Sequence, residues 1–229
     1  MPSLENNHDA FNLKGQIQHK VEFIRNFVPD NVKIHLVGHS IGSKISMELL
    51  KFEDISDKVR HCYLLFPTIE RMVESRNGIL FFKFFDQFYF FIRLIYYAFS
   101  FVPLIIRTFI LYAFCLLLGY PKFFLGTMLK LSSPKVLDKI WFLTRDEMKL
   151  VRDIDAEIIE KNLKRLKFYY GTTDGWVPVN YFNQLVKQFP GIDAELCEIK
   201  IDHAFVISNG SRMARMISDW IKRRLIKLN

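Results

Sequence analysis

Three residues of the sequence could together perform nucleophilic chemistry: Ser40, Asp174 and His203. A serine hydroxyl is a weak nucleophile until a histidine accepts its proton, and a carboxylate must hold that histidine in the right tautomer. Ser40 stands in the pentapeptide GHSIG (38–42), a Gly-x-Ser-x-Gly pattern typical of a serine exposed on a sharp turn between a strand and a helix. The sequence therefore predicts a triad with Ser40 as nucleophile, His203 as base and Asp174 as acid.

Each partner of Ser40 has an ordinary alternative role. Asp174 precedes a glycine in a polar turn, where aspartate is common for conformational reasons alone, and His203 could be a surface histidine of a loop. Asp202 is also acidic, but it adjoins His203 and could not easily turn back to orient the ring, so Asp174 is preferred. His39 adjoins the serine and is predicted to be structural. No catalytic role is predicted for the remaining histidines, His8, His19, His35 and His61.

The hydrophobic pattern places the triad residues at the ends of strands. Short apolar runs predict strands at 32–37, 62–68 and 194–201, and a strand running into a turn at 166–174. Apolar residues at three- and four-residue spacing predict helices at 13–28, 42–51, 153–163, 178–189 and 212–228. This alternation is typical of a parallel sheet, whose functional loops follow the carboxyl ends of the strands. Ser40, Asp174 and His203 are therefore expected on one rim of one sheet.

The turn around Ser40 carries two further expectations. Gly38 and Gly42 are predicted to be required because a side chain at either position would collide with the neighbouring strand or helix. One donor to an oxyanion is expected from the backbone N–H of Ile41, the residue after the nucleophile. A second donor normally comes from a loop after an earlier strand. Residues 1–31 contain a predicted helix but no strand and no Gly-rich loop, so that donor is expected to be missing.

Several longer motifs carry a family resemblance. From about residue 11 to its end, the chain resembles the lipid droplet-associated hydrolases of the α/β-hydrolase superfamily. The segments that carry this resemblance are LKGQIQHKVEF, GHSIGS, LLFPTIERMVESRNG, FYYGTTDGWVP and IDHAF. LLFPTIERM and FYYGT-D are much more specific than the serine motif. The resemblance implies an α/β-hydrolase fold with a mostly parallel sheet and assigns the same roles to Ser40, Asp174 and His203.

The resemblance also implies a function. It predicts a serine esterase or lipase that cleaves the carboxylic ester of a hydrophobic lipid, such as a cholesteryl ester or another neutral lipid, on lipid droplets and the cytosolic face of the endoplasmic reticulum. Members of the family begin with further strands and a His-Gly loop, so we expect residues 1–229 to form one partial domain of a shortened form, lacking the N-terminal strands. The alternative is a catalytically weak or inactive protein that binds droplets and retains the triad.

Phenylalanine is concentrated in one apolar insertion, predicted at 75–145. Of 23 phenylalanines, 13 lie between Phe81 and Phe124. Two uncharged runs, 94–106 and 108–121, are each shorter than the ~20 residues that a membrane-spanning helix needs. They favour a hairpin or interfacial helices in a droplet monolayer or membrane, and the alternative is an ordinary helical lid. The predicted lipid contacts are Phe90, Phe91, Phe99, Phe101, Phe109 and Phe114, with Arg93, Arg107 and Lys122 reaching the headgroups.

Composition limits the remaining classes. A net charge of +8 fits anionic lipid better than nucleic acid, because no nucleic-acid-binding motif accompanies it. Cys62, Cys115 and Cys197 are predicted to be buried thiols of a reducing compartment. Residues 1–10 are polar, show no signal-peptide pattern and are expected to be disordered. The last helix is predicted to dock through one apolar face, with basic residues at 222–224 and Lys227 around it; that face consists of Met213, Ile217, Trp220, Ile221 and Leu225. No metal or organic cofactor is expected.

Overall fold

The computed structural model describes residues 2–226 and contains a four-stranded parallel sheet. The strands lie side by side in chain order, and they are β1 (Ile34–His39), β2 (Val59–Leu65), β3 (Leu166–Tyr170) and β4 (Asp193–Leu196). Because the strands are parallel, the loops that follow them leave the sheet at the same edge. The predicted triad residues all come from those loops.

Helices connect and cover the strands. Before β3 they are α1 (His8–Phe11), α2 (Leu13–Phe27), α3 (Ile41–Leu49), α4 (Glu53–Ser56), α5 (Arg76–Leu80), α6 (Tyr89–Ser100), α7 (Leu104–Leu117), α8 (Leu125–Leu131), α9 (Pro134–Leu150) and α10 (Ala156–Asn162). After β3 they are α11 (Val179–Gln188), α12 (Phe205–Ser208) and α13 (Gly210–Ile226). Single turns of 3₁₀-helix lie at Met72–Glu74, Lys122–Phe124 and Leu163–Arg165, and a π-helical segment at Phe81–Asp86 joins α5 to the Phe-rich helices.

The main core lies between the sheet and helices α2, α3, α10 and α11. β3 is buried along its whole length, and Phe168 and Tyr170 have no exposed surface. From α2, Val21 and Ile24 reach the same core. A smaller cluster joins the start of α2 to α9 through Leu13 and Met148. The strands that carry the candidate site are therefore fixed by a packed hydrophobic core.

Most predicted elements are present, with shifted ends. β1 begins two residues later than predicted, since Val32 turns back on Pro29 and the ladder with β2 starts at Ile34. β4 ends at Leu196 rather than at residue 201. The first ten residues, expected to be disordered, include most of α1, and the His8 ring stacks on Phe142 at 5.0 Å between centroids. Lys227 and Leu228, predicted beside and at the end of the last helix, lie outside the described residues.

The chain divides into two compact units. One contains the residues up to Leu94 together with Pro134–His203, and the other contains Ile95–Ser133 together with the residues from Ala204 onward. The first unit holds the whole sheet and all three predicted triad residues. The predicted insertion at 75–145 is thus divided, and its central part lies in the second unit.

The Phe-rich segment forms two helices, α6 and α7, that meet at a break. Pro103 caps α7, as expected of a proline that interrupts an apolar run. Among the described residues, no helix is both long enough and apolar enough to cross a membrane. Phe90, Phe91, Phe101, Phe109 and Phe114 are exposed, whereas Phe99 and Arg107 are only partly exposed.

Predictions were also made for an arginine, the three cysteines and the last helix. Arg93 holds Asp138 through two hydrogen bonds of 2.8 and 3.2 Å, and its predicted contact with lipid headgroups stays a prediction. The thiols of Cys62, Cys115 and Cys197 are free and buried, as predicted. In α13, Met213 and Trp220 are buried as predicted, whereas Leu225 of the same predicted face is exposed.

Candidate active site

Ser40 occupies a strained turn between β1 and α3. Its backbone has φ 55° and ψ −125°, a conformation that non-glycine residues rarely adopt, and it persists only because the surroundings enforce it. The N–H of Ser40 donates to the carbonyl of Leu65 at the end of β2, and its own carbonyl accepts from Ser43 in α3. These bonds hold the serine between the strand and the helix, as the Gly-x-Ser-x-Gly pattern predicts.

The two glycines of the motif differ in importance. A Cβ on Gly38 would lie 2.5 Å from the carbonyl oxygen of Gly42, so no side chain fits there. A Cβ on Gly42 would meet nothing within 4 Å, and its backbone is helical. The expectation that a side chain at Gly42 would collide is therefore wrong. The close approach of β1 to α3 is made at Gly38, and the first turn of α3 leaves the space beside Gly42 open.

The side chains of Ser40, His203 and Asp174 form a continuous chain of hydrogen bonds. Nε2 of His203 lies 2.8 Å from Oγ of Ser40, and Nδ1 of His203 lies 2.6 Å from Oδ2 of Asp174. The Asp174 side chain has no exposed surface, and that of His203 keeps about a sixth of its area open. With a proton on Nδ1, the imidazole can accept the Ser40 proton at Nε2.

The Asp174 carboxylate is fixed from its other oxygen. Oδ1 accepts backbone N–H bonds from Trp176 at 2.7 Å and Val177 at 3.1 Å, which is the local Asx geometry of a polar turn. The ordinary turn role and the proposed acid role therefore coexist in one side chain. Asn77 of α5 donates its backbone N–H to the carbonyl of Gly175 at 2.9 Å and packs its side chain where a Cβ of Gly175 would lie.

His39 holds the loop that carries His203. Nε2 of His39 donates to the backbone carbonyl of His203 at 2.8 Å, and the two ring centroids are 5.2 Å apart. Burial lowers the pKa of His39 below its ordinary value, partly offset by that backbone hydrogen bond. The lowered pKa favours the neutral form of the His39 ring. The structural role of His39 stays a prediction, and the hydrogen bond to the His203 carbonyl is the contact through which it would act.

The structure also brings Thr68 to the nucleophile, a residue for which the sequence suggested no role. Oγ1 of Thr68 lies 3.1 Å from Oγ of Ser40, and the N–H of Thr68 donates to the Ser40 carbonyl at 3.3 Å. Phe66, two residues earlier, packs edge-on against the His203 ring with centroids 6.0 Å apart. The sequence feature that could have pointed to Thr68 is the motif LLFPTIERM. The motif is specific, but it contains no pattern that reveals a contact with a residue far away in the chain.

The expected oxyanion donor lies beside the serine. Ile41 is the first residue of α3, where backbone N–H groups have no partner within the helix. Its helix position therefore suits donation to a developing oxyanion. No group of three or more His, Cys, Asp and Glu side chains within residues 2–226 is arranged to hold a metal ion. A serine, a histidine and an aspartate in this arrangement are suited to acyl transfer.

Known proteins resemble this chain in sequence and in fold. The family model described as lipid-droplet associated hydrolase matches residues 2–206. A protein named lipid droplet-associated hydrolase from Drosophila melanogaster is 48% identical over 97% of this chain and 73% of its own length. A protein of the same name from Mus musculus is 39% identical over 94% of this chain, which spans 66% of the mouse protein.

Solved structures support the fold assignment. The crystal structure of a meta-cleavage product hydrolase superposes with a TM-score of 0.58 at 15% identity, over 93% of this chain and 72% of the other. At that identity the likeness shows the fold alone. Together with the parallel sheet and the turn at Ser40, it confirms the α/β-hydrolase fold predicted from the sequence.

Proposed function

Because the chain belongs to the lipid droplet-associated hydrolase family, we propose that it is a serine hydrolase that cleaves the carboxylic ester of a hydrophobic lipid. The family and the fold support a lipid hydrolase. The serine mechanism and the ester substrate are proposed from the site. The observation that carries them is the uninterrupted hydrogen-bond chain from Ser40 through His203 to Asp174.

The proposed reaction has two acyl-transfer steps. Oγ of Ser40 attacks the ester carbonyl while its proton passes to Nε2 of His203, and Asp174 stabilises the imidazolium that forms. The tetrahedral oxyanion accepts a hydrogen bond from the N–H of Ile41. His203 then gives the proton to the departing alcohol, which leaves an acyl-Ser40 intermediate. Water deprotonated by His203 hydrolyses this acyl-enzyme and regenerates the serine.

We propose that the protein binds its substrate at a lipid surface. Ile105 and Phe109 lie one turn apart on α7 and are 83% and 72% exposed, and Phe101 just before that helix is 70% exposed. Such aromatic and aliphatic side chains insert readily into the boundary between headgroups and acyl chains. We propose the droplet monolayer as the primary surface, with the cytosolic face of the endoplasmic reticulum as a second location. Cholesteryl and other neutral-lipid esters are the proposed substrates.

A second function is favoured by the same exposed helices. A protein that uses α6 and α7 to bind droplets, and turns over little or no substrate, would also retain the triad. The two functions differ in one property, the reactivity of Ser40. A binding protein needs the apolar surface but no activated hydroxyl.

A fluorophosphonate probe separates these functions, because it forms a covalent bond only with an activated serine. We expect labelling of the folded protein and complete loss of labelling in Ser40→Ala. Ser211→Ala, which removes an exposed hydroxyl at the start of α13, is the matched control and should label as the unaltered protein does. Folded protein that resists the probe would contradict the hydrolase proposal and leave droplet binding as the function.

Substrate class is tested separately on emulsified lipids. Release of fatty acid from cholesteryl oleate, triolein and a phospholipid should be compared for the unaltered protein and Ser40→Ala. We expect Ser40-dependent release from at least one neutral lipid. Release from the phospholipid alone would contradict the neutral-lipid assignment without contradicting the serine mechanism.

A further inference from the structure

We propose that Thr68 is a catalytic residue whose hydroxyl hydrogen-bonds the nucleophilic oxygen of Ser40 and fixes it for proton transfer to His203. The inference rests on the proposed serine hydrolase function and extends it by one residue. The feature that carries it is the contact between the two hydroxyl oxygens, 3.1 Å apart. Thr68 itself lies outside the Gly-x-Ser-x-Gly motif.

Thr68 is held against the serine by more than one bond. Its backbone N–H donates to the carbonyl of Ser40 at 3.3 Å, so main chain and side chain of Thr68 both contact the same residue. Thr68 is 1% exposed. A buried hydroxyl is normally satisfied by a hydrogen-bond partner. The Ser40 oxygen is the side-chain partner that the structure provides.

The direction of the hydrogen bond between Thr68 and Ser40 follows from the position of the Ser40 hydroxyl proton. A serine has one hydroxyl proton, and in the reactive arrangement that proton points at Nε2 of His203, 2.8 Å away. The hydroxyl of Thr68 must then donate to a lone pair of the Ser40 oxygen. Two hydrogen bonds in different directions define one side-chain rotamer for Ser40. When the proton moves to His203, the Thr68 bond becomes charge-assisted and therefore stronger.

The loop that presents Thr68 is rigidly anchored on both sides. Before it, Phe66 has φ 48° and donates its N–H to the carbonyl of Tyr169 in β3 at 2.7 Å. After it, Arg71 has φ 41°, donates its N–H to the carbonyl of Arg152 at 2.7 Å, and lies 4.0 Å from the ring centre of Tyr181. Two non-glycine residues with positive φ are costly and persist where the surroundings enforce them.

A side-chain pair locks the end of the same loop. Glu70 is buried, and its carboxylate lies 2.7 Å from the guanidinium of Arg71. Burial raises the pKa of Glu70, and the charge of Arg71 counteracts that rise. The motif LLFPTIERM thus encodes a fixed loop with Thr68 at the nucleophile, which gives the most specific part of the sequence a function at the site.

The experiment compares three substitutions at Thr68. Thr68→Val removes the hydroxyl and keeps the shape, Thr68→Ser keeps the hydroxyl and removes the methyl group, and Thr68→Ala removes both. Fluorophosphonate labelling rates and hydrolysis of p-nitrophenyl butyrate are measured for each, after circular dichroism has confirmed folding. Thr68→Val should lower the labelling rate and kcat by about 10- to 100-fold with KM unchanged, as expected for a hydrogen bond to a charged oxygen. Thr68→Ser should stay within about threefold of the unaltered protein.

The outcomes separate this inference from a purely structural role. If Thr68→Val does not fold, the ratio of Ser to Ala decides, because these two variants differ only in the hydroxyl. Equal rates for Thr68→Val and the unaltered protein, or for Ser and Ala, would overturn the inference while leaving the hydrolase proposal intact. Absence of Ser40-dependent labelling in the folded unaltered protein would overturn both, since no reactive oxygen would then exist for Thr68 to hold.

Discussion

His203 is held at three separate points by three different residues. Its Nδ1 contacts Asp174, its Nε2 contacts Ser40, and its backbone carbonyl accepts from His39. The imidazole therefore has little freedom to rotate or to move along its loop. A base held in this way loses little conformational entropy when the reaction begins, which is how preorganised sites lower barriers.

At the residue scale, the acid of the proposed triad can be tested against its nearest alternative. Asp174→Asn should reduce kcat by about 10⁴-fold, because an amide no longer favours the tautomer that accepts the Ser40 proton. Asp202→Asn, which changes an exposed carboxylate next to His203, should retain most of the activity. Ester hydrolysis by both variants measures the difference. A greater loss in Asp202→Asn than in Asp174→Asn would show that Asp202, and not Asp174, is the acid.

A second residue-scale prediction concerns Glu147, a buried carboxyl of α9. Burial, with a smaller contribution from the charge of Asp146, raises its pKa to about 7. Between the unfolded pKa of about 4.3 and pH 7, the folded state binds more protons than the unfolded state, so stability falls as pH rises. Glu147→Gln removes this loss. We expect the variant to gain roughly 1–3 kcal/mol at pH 8 and little at pH 4.

The measurement is thermal unfolding of Glu147→Gln and the unaltered protein at the two pH values. Glu157→Gln, which neutralises an exposed carboxylate on α10, serves as the control and should show a much smaller difference. An equal gain at both pH values would show that the effect comes from packing and not from ionisation.

At the element scale, the stretch of residues 66–77, which follows β2, connects Ser40 with the loop that carries Asp174. Thr68 near its start contacts Ser40, and Asn77 near its end bonds the Gly175 carbonyl in the loop of Asp174. Neither contact could be read from spacing, because each joins residues far apart in the chain and depends on how the loop folds. The proximity of Ser40, Asp174 and His203 was predictable, since strand ends in a parallel sheet share one edge.

The ends of elements were less predictable than their existence. β4 ends at Leu196, after which Cys197 makes one more backbone bond to Tyr170 and the chain turns away. Ile201 continues the run beyond that point and is buried in the loop leading to His203, whereas Ile199 of the same run is exposed. Hydropathy alone does not distinguish a strand from a buried loop, so the predicted strand was too long.

The turn at Ser40 gives an element-scale prediction with an internal control. Gly38→Ala should destabilise the protein by several kcal/mol or prevent folding, because its Cβ would overlap the backbone of α3. Gly42→Ala should be tolerated or stabilising by up to about 1 kcal/mol, since alanine favours a helix. Unfolding in urea compares the two variants. A larger loss for Gly42→Ala would mean that α3 packs more tightly against its surroundings than the open space beside Gly42 indicates.

At the scale of the whole molecule, the exposed apolar side chains of α6 and α7 form the surface that is proposed to bind lipid. Large exposed hydrophobic residues recur along α6 and α7, from Phe90 in α6 to Leu117 at the end of α7, which is 85% exposed. Isolated exposed hydrophobic residues are normal, but contiguous ones mark a binding surface. The net charge of +8 favours anionic headgroups without specifying a position on the molecule.

The lipid surface can be tested with two matched pairs of substitutions. Ile105→Ser with Phe109→Ser removes two exposed side chains one turn apart on α7, and Phe23→Ser with Phe27→Ser removes two exposed side chains at the same spacing on α2. Burial of a large apolar side chain contributes about 1.5–3 kcal/mol, so the α7 pair should weaken binding to triolein droplets at least tenfold. The α2 pair should bind within about twofold of the unaltered protein. Flotation of protein with droplets measures both, and equal weakening by the two pairs would show that general apolarity, and not α7, drives attachment.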